Sequence, residues 1–342
     1  MIRRILFVVV LLFVSVWPLS AQHIPSDEEI RIGIIGLDTS HSLAYAKLIN
    51  QTDSSSLAGL RVVAAYPKGN PDLATGERIP EFTEDVRKLG IEIVGSIDEL
   101  LARVDVVMLE TRDGRMHLEQ ALPVLKAGKP LYIDAPLAGS LGEAIAIYEA
   151  AQRYNVPVFT AEPLRYTPKT QAIAEGKVGE IIGAATYSPA PTHPTHSDLF
   201  WYGGHGVAML YTVMGPGCEV LWRVHTQGTD AVICRWEDDR LGTYRGIRSG
   251  KRGYGGTAFG TDGIVRLGGF EDYLPVVLKV GSFFKSGKPP VSAEESLEIY
   301  AFMAAADKSK RLGGQPVYLE KMLANTRKEA RQKLEQILSE RN

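Results

Sequence analysis

Between residues 30 and 160, short apolar runs alternate with stretches of helical spacing, and this alternation limits the architecture more than any other feature of the chain. The run from Ile30 to Ile35 is β-branched, ends at Gly36 and is followed by polar Asp38-Thr39-Ser40, the order of a buried strand feeding a helix. Leu43, Ala46, Leu48 and Ile49 give that helix its apolar face, and residues 61–66 form the next strand. The pattern continues with helices predicted over 82–89, 97–102, 117–127 and 142–154, and strands over 92–94, 104–109, 130–133 and 157–160. Strands separated by helices must run parallel through right-handed crossovers, so this half is a doubly wound α/β sheet.

Beyond Tyr166 the pattern changes. A short helix over 170–175 precedes strand-like runs at 181–187, 219–226, 231–236 and 241–247, with one helix ending near 210–214. Few helices between strands predict a second domain with an open, largely antiparallel sheet. Ser292, with Glu295 three residues on, starts a helix over 292–309 by a capping box. Residues 318–341 carry Leu319, Met322, Leu323, Ala330, Leu334, Ile337 and Leu338 on one face of a closing amphipathic helix. The chain of 342 residues therefore divides into a leader (1–21), a first domain (29–160), a second domain (161–318) and a closing helix (319–342).

The leader reads Met1-Ile2-Arg3-Arg4, then an apolar stretch to Trp17, then Pro18-Leu19-Ser20-Ala21. A charged start, an apolar run and a small-residue site make a cleaved export signal. The run is shorter than the roughly 20 residues needed to span a bilayer, so no membrane span is expected after cleavage, and the mature chain is expected in the periplasm or outside the cell. A net charge of −2 leaves no basic surplus for a phosphate backbone, which argues against nucleic acid and for a small-molecule partner. Cys218 and Cys234 are the two cysteines; an oxidising compartment allows a disulfide, and two buried thiols fit the sequence equally.

A series of short motifs runs through both domains: His117 before Ala121-Leu122, Ala127-Gly128-Lys129-Pro130, Asp134-Ala135-Pro136-Leu137-Ala138, Arg165-Tyr166, Gly176-Lys177-Val178-Gly179-Glu180, Gly204-His205-Gly206, Asp262-Gly263 and Val291-Ser292-Ala293-Glu294-Glu295. In order and spacing the chain resembles the Gfo/Idh/MocA oxidoreductases. The resemblance implies an N-terminal Rossmann-type domain binding NAD or NADP, and a C-terminal α/β domain with an open sheet. It also implies a sugar or cyclitol hydroxyl as the reacting group and a homo-oligomer formed through the sheet's open face.

A Rossmann fingerprint uses three glycines, for a tight turn, for approach of the pyrophosphate and for helix packing. The chain holds Gly36, Asp38 and His41 there. Asp38, Thr39 or Ser40 either caps the helix or lines a modified pocket. No acid ends the second strand; Lys68 stands there instead and leans the expectation toward a 2′-phosphate. The expected cofactor contacts are Gly36, Asp38, Thr39, Ser40, His41, Lys68, His117 and Pro136.

Where the family carries Glu-Lys-Pro, this chain has Asp134-Ala135-Pro136, and alanine handles no proton. The family's Asp-x-Gly-x-His pattern appears as Trp201-Tyr202-Gly203-Gly204-His205, the histidine kept and the acid lost. His205 is therefore the expected base, assisted by Asp134 or Tyr166, with Arg165, Tyr202, His193 and His196 as carbohydrate contacts. Pro194 breaks helical spacing among the histidines, so no metal site is expected from them. The leading expectation is an NAD(P)-dependent oxidoreductase of a carbohydrate-like substrate. Ala135 keeps open a degenerate binding or partner subunit, and a glycoside-cleaving or lyase enzyme using nicotinamide transiently is the third reading.

Overall fold

The structure, a computed structural model, describes residues 29–340, so the expected leader lies outside the described residues. Among those residues the first sheet is made of β1 (Ile30–Ile35), β2 (Leu60–Tyr66), β3 (Glu92–Ile93), β4 (Val106–Leu109), β5 (Leu131–Asp134) and β6 (Val158–Ala161). All pair in parallel, in the order β3-β2-β1-β4-β5-β6. The order reverses direction between β1 and β4, and that switch point opens a crevice beyond the strands' carboxyl ends.

Helices α1 (Ser40–Gln51), α2 (Ile79–Lys88), α3 (Ile97–Leu101), α4 (His117–Lys126) and α5 (Leu141–Tyr154) connect these strands. α6 (Pro168–Ala174) leads into the second sheet, and α7 (Gly204–Met214) crosses it. The second sheet contains β7 (Ile181–Pro189), β8 (Cys218–His225), β9 (Thr229–Trp236), β10 (Leu241–Ile247), β11 (Gly255–Gly260), β12 (Gly263–Leu267) and β13 (Val317–Tyr318), in the order β12-β11-β7-β10-β9-β8-β13. Its pairs are antiparallel except β7 with β10. The remaining helices are α8 (Leu274–Ser286), α9 (Ala293–Arg311) and α10 (Leu319–Glu340). Ser292 caps α9 by accepting from the Glu295 amide at 3.1 Å, as the capping box requires.

α8 belongs by sequence to the second half yet packs on the first sheet. Its Val276, Val277, Val280, Phe283 and Phe284 join Ile32, Ile34, Val62, Met108, Tyr132 and Phe159 in one core, with Tyr45 and Ala46 of α1. Each such side chain contributes about 1.5–3 kcal/mol on burial. The opposite face of the sheet packs against α4 and α5, and that core runs on without a break beneath the second sheet, α7 and α9. α10 lies along α5, where Arg153 meets Glu335 at 2.5 Å and Arg331 meets Glu149 at 2.9 Å.

The second sheet turns one face inward and leaves the other open. Tyr187, Ile233, Leu241, Phe259 and Ile264 are exposed on its strands while alternate residues are buried. Cys218 and Cys234, both on the buried face, form a disulfide between β8 and β9 with Cα atoms 6.1 Å apart. Closing a loop of this length is worth about 3 kcal/mol, so reduction, followed by guanidinium unfolding, is expected to lower stability by about 2–3 kcal/mol.

Candidate active site

A cavity of about 190 Å³ lies between the carboxyl ends of the first sheet and the face of α7. Thr39, His41, Arg112, Asp134, Ala135 and Pro136 line it from the first domain. Glu162, Arg165, Tyr202, His205, Tyr254 and Tyr273 line the other side.

The floor begins at α1. Thr39, in extended conformation, caps the helix by accepting from the His41 amide at 3.3 Å. His41 thereby starts the helix with its Nδ1 2.6 Å from Asp134 Oδ2. The other Asp134 oxygen accepts from the Tyr132 and Tyr45 hydroxyls at 3.2 and 3.4 Å. Burial pulls the His41 pKa down, but the Asp134 charge and hydrogen bond outweigh it and the net shift is upward. Behind this pair, Glu110 is wholly enclosed, and both its carboxylate oxygens lack a hydrogen-bond partner among the described residues. Burial and the charge of Asp134 push its carboxyl well above the usual range.

Asp38 does not cap α1. Its carboxylate turns beneath the loop, where it accepts from the Arg112 amide at 3.0 Å and lies so close to Gly69 that a Cβ there would stand 2.5 Å away. Burial raises its pKa against the opposing amide hydrogen bonds. Gly36 has φ +95°, and a Cβ on it would meet the Thr111 amide at 2.4 Å, so the turn requires glycine. These details bear on whether a dinucleotide fits. With Asp38 folded under, the helix N-terminus is free of its charge, and the buried Arg112 Nε has no hydrogen-bond partner among the described residues, its guanidinium lying over the Trp201 ring. Thr39, His41 and Arg112 thus leave the cleft able to take a phosphate-bearing cofactor.

On the opposite wall, His205 Nδ1 is hydrogen-bonded to Glu162 Oε2. Glu162 follows β6 directly, and His205 is the second residue of α7, so the pair ties the end of the first sheet to α7. The Tyr202 ring stands 4.7 Å from the His205 ring, and its hydroxyl lies 2.9 Å from that of Tyr254. Burial pushes the Tyr254 phenol far above its ordinary value. Arg165 is held by Glu295 of α9.

Several expected site residues lie elsewhere. His117 is fully buried, with Nδ1 3.1 Å from the Leu137 carbonyl and Nε2 2.6 Å from the Thr111 carbonyl, and it ties two loops together away from the cleft. Tyr166 is buried in the core shared with α8, where burial pushes its phenol up to about 12. His196 hydrogen-bonds Asp113 at 3.1 Å and, with His193, packs on Trp201. His196 thus ties the second domain to the first, His193 packs beside it, and neither is among the residues lining the cavity. Burial opposes ionisation of Asp113, but Arg115 and Asn70 hold its carboxyl far below the usual range. Lys68 is exposed at the end of β2, and Ser40 is exposed at the start of α1. Sequence reasoning missed Glu162, Glu110, Arg112, Tyr254 and Tyr273. For Glu110 and Glu162 a signal existed, since one directly follows and the other lies two residues beyond a predicted parallel strand, where ligands bind in such sheets.

Residues 30–162 match the model of an oxidoreductase family with an NAD-binding Rossmann fold, Gfo/Idh/MocA. Residues 30–162 are thus a domain of the Gfo/Idh/MocA type. Levoglucosan dehydrogenase of Pseudarthrobacter phenanthrenivorans is 28% identical over 187 residues, 51% of this chain and 45% of that protein. The 1,5-anhydro-D-fructose reductase of Ensifer adhaerens is 34% identical over 100 residues, 28% of this chain and 30% of the reductase. The matches thus take in less than half the length of either relative. Solved structures extend the likeness, in fold alone, to the second domain. A probable dehydrogenase from Thermotoga maritima superposes with a TM-score of 0.70 at 21% identity, covering 86% of this chain and 100% of that one. Scyllo-inositol dehydrogenase from Lactobacillus casei, with bound NAD(H) and scyllo-inositol, gives 0.70 at 16% identity, with 86% and 100% covered.

Proposed function

We propose that the protein is an NAD(P)-dependent oxidoreductase acting on a hydroxyl or carbonyl group of a sugar- or cyclitol-like substrate, exported from the cytoplasm. The observation that carries this reading is the Glu162–His205 pair facing the cavity at the domain junction. Glu162 accepts the Nδ1 proton and so presents the Nε2 lone pair to the cleft, where it takes the proton of a substrate hydroxyl. Bound nicotinamide supplies the hydride acceptor, or the donor in the reverse direction. Thr39, His41, Arg112 and Pro136 would hold that cofactor; Lys68, exposed after β2 and outside the cavity, would favour NADP only if the adenosine end of the cofactor extends to it. Tyr202, Tyr254 and Arg165 offer a hydrogen-bonding wall suited to a polyol, and relatives named for levoglucosan and inositol support that class. The disulfide and the leader support the exported location. The open face of the second sheet supports pairing with a second copy, which light scattering reads directly.

The test is made on the purified full chain. Denaturation should release nicotinamide, or titration of the empty protein with NAD and NADP should quench its fluorescence. A polyol screen should then reveal reduced cofactor by absorbance. Failure to bind either dinucleotide would sink the reading. Binding without turnover across the screen would favour a non-redox subunit, which Ala135 already supports by bringing no proton-handling group to the cleft.

A further inference from the structure

Three side chains from three segments converge at the floor of the cleft: His41 at the start of α1, Glu110 after β4 and Asp134 at the end of β5. Their ligand-capable atoms all lie within 4.8 Å of one another. Glu110 is fully buried and neither oxygen has a hydrogen-bond partner among the described residues. Asp134 is buried beside it and is bonded to one imidazole and two phenols, with no lysine or arginine among those partners. Two carboxylates this close and this dry repel each other strongly, and the neutral phenols do not compensate them.

We propose that His41, Glu110 and Asp134 form a binding site for one divalent transition-metal cation of the Zn²⁺ or Mn²⁺ class. Two carboxylates balance the charge of such an ion, and the imidazole favours these ions over Mg²⁺ or Ca²⁺. Metal–ligand bonds of about 2.0–2.2 Å put neighbouring donors roughly 3–4 Å apart, so the cluster needs only small side-chain rotations to close. Tyr132 and Tyr45 already orient the Asp134 carboxylate from behind, as outer partners of metal ligands do. His41 and Asp134 also line the cavity, so an open coordination position would face it. The ion would give this wall the positive charge that Ala135 does not carry. The site rests on none of the redox reading, and its residues are separate from the histidines of the 193–205 segment.

The test uses the full chain, purified without immobilised metal, stripped with chelator and titrated separately with Zn²⁺ and Mn²⁺ by calorimetry. One equivalent of at least one ion should bind saturably and raise the melting temperature. Glu110→Gln, which keeps the shape and removes the charge, should weaken binding by about 10-fold or more and abolish the thermal shift. Co²⁺ substitution adds a direct readout, since visible bands from imidazole coordination should vanish in His41→Ala; this variant also carries the comparison if Glu110→Gln does not fold. Two outcomes overturn the proposal. One is a stripped wild-type chain that binds neither ion saturably while Glu110→Gln melts at or above it, which would mean that Glu110 carries a proton instead. The other is binding unchanged in both variants, which would put the ion elsewhere.

Discussion

His205→Asn is expected to lower kcat by about 10²- to 10⁴-fold, the range that a positioned proton acceptor contributes. Dinucleotide affinity should hardly change. Glu162 fixes the ring by its Nδ1, so the remaining nitrogen faces the cavity beside Tyr202 and Tyr254. Asparagine retains a donor for Glu162 but cannot accept and carry a proton. Steady-state kinetics on the first substrate found, together with a cofactor titration, separate this from a structural effect. A kcat within about threefold of wild type would show that another group accepts the proton; a matched loss of cofactor affinity would mark His205 as a packing residue.

Arg223→Met is expected to cost about 3–5 kcal/mol of stability, because it leaves buried carboxylates without their central cation. Arg223 is buried, and its guanidinium reaches Asp230 at 3.0 Å, Asp307 at 2.9 Å and Asp198 at 2.8 Å. Lys310 also meets Asp198, and Arg248 meets Asp230, so three carboxylates face three permanent cations. Removing one cation unbalances the set inside the fold. Burial and the neighbouring Asp198 charge, partly offset by Arg223, raise the Asp307 carboxyl to about 6. A raised acid favours the folded state while it is protonated, and that contribution is lost as pH rises from the unfolded value near 4 through about 6. The penalty of Arg223→Met should therefore be smaller at pH 5 than at pH 8. Guanidinium unfolding at both values checks it, and a loss below about 1 kcal/mol at pH 8 would contradict the account.

Much of this fold is readable from spacing because both of its periodicities are local. The strands from Ile30 to Thr160 announce themselves by apolar runs between helices, and Ser292 with Glu295 marks the start of α9 within four residues. β11 and β12 escape the same reading, since Gly255, Gly256, Gly260 and Gly263 lower their local strand preference and pairing with β7 supplies it instead. α8 carries helical spacing at Val276, Val280 and Phe283, but no local signal tells which sheet it covers. The site divides in the same way. His205 stands out by motif, whereas its partner Glu162 lies 43 residues upstream and becomes visible only when β6 and α7 are brought together. His193 and His196 lie close to His205 in sequence, yet they pack at a tilt against Trp201, and His196 hydrogen-bonds Asp113 of the first domain.

The path of α8 has a consequence for motion. A two-domain enzyme that opens by swinging about a single linker needs its halves joined at one place. Here the chain leaves the first sheet after β6, builds most of the second, and returns to seal the first sheet's far face with Val276, Val280 and Phe283 before leaving again. A wide hinge movement would strip that seal and expose a core of aromatic and branched side chains. Access to the cleft would therefore rely on small rearrangements at its mouth, and a fragment ending at residue 160 would lack the α8 side chains that cover its sheet.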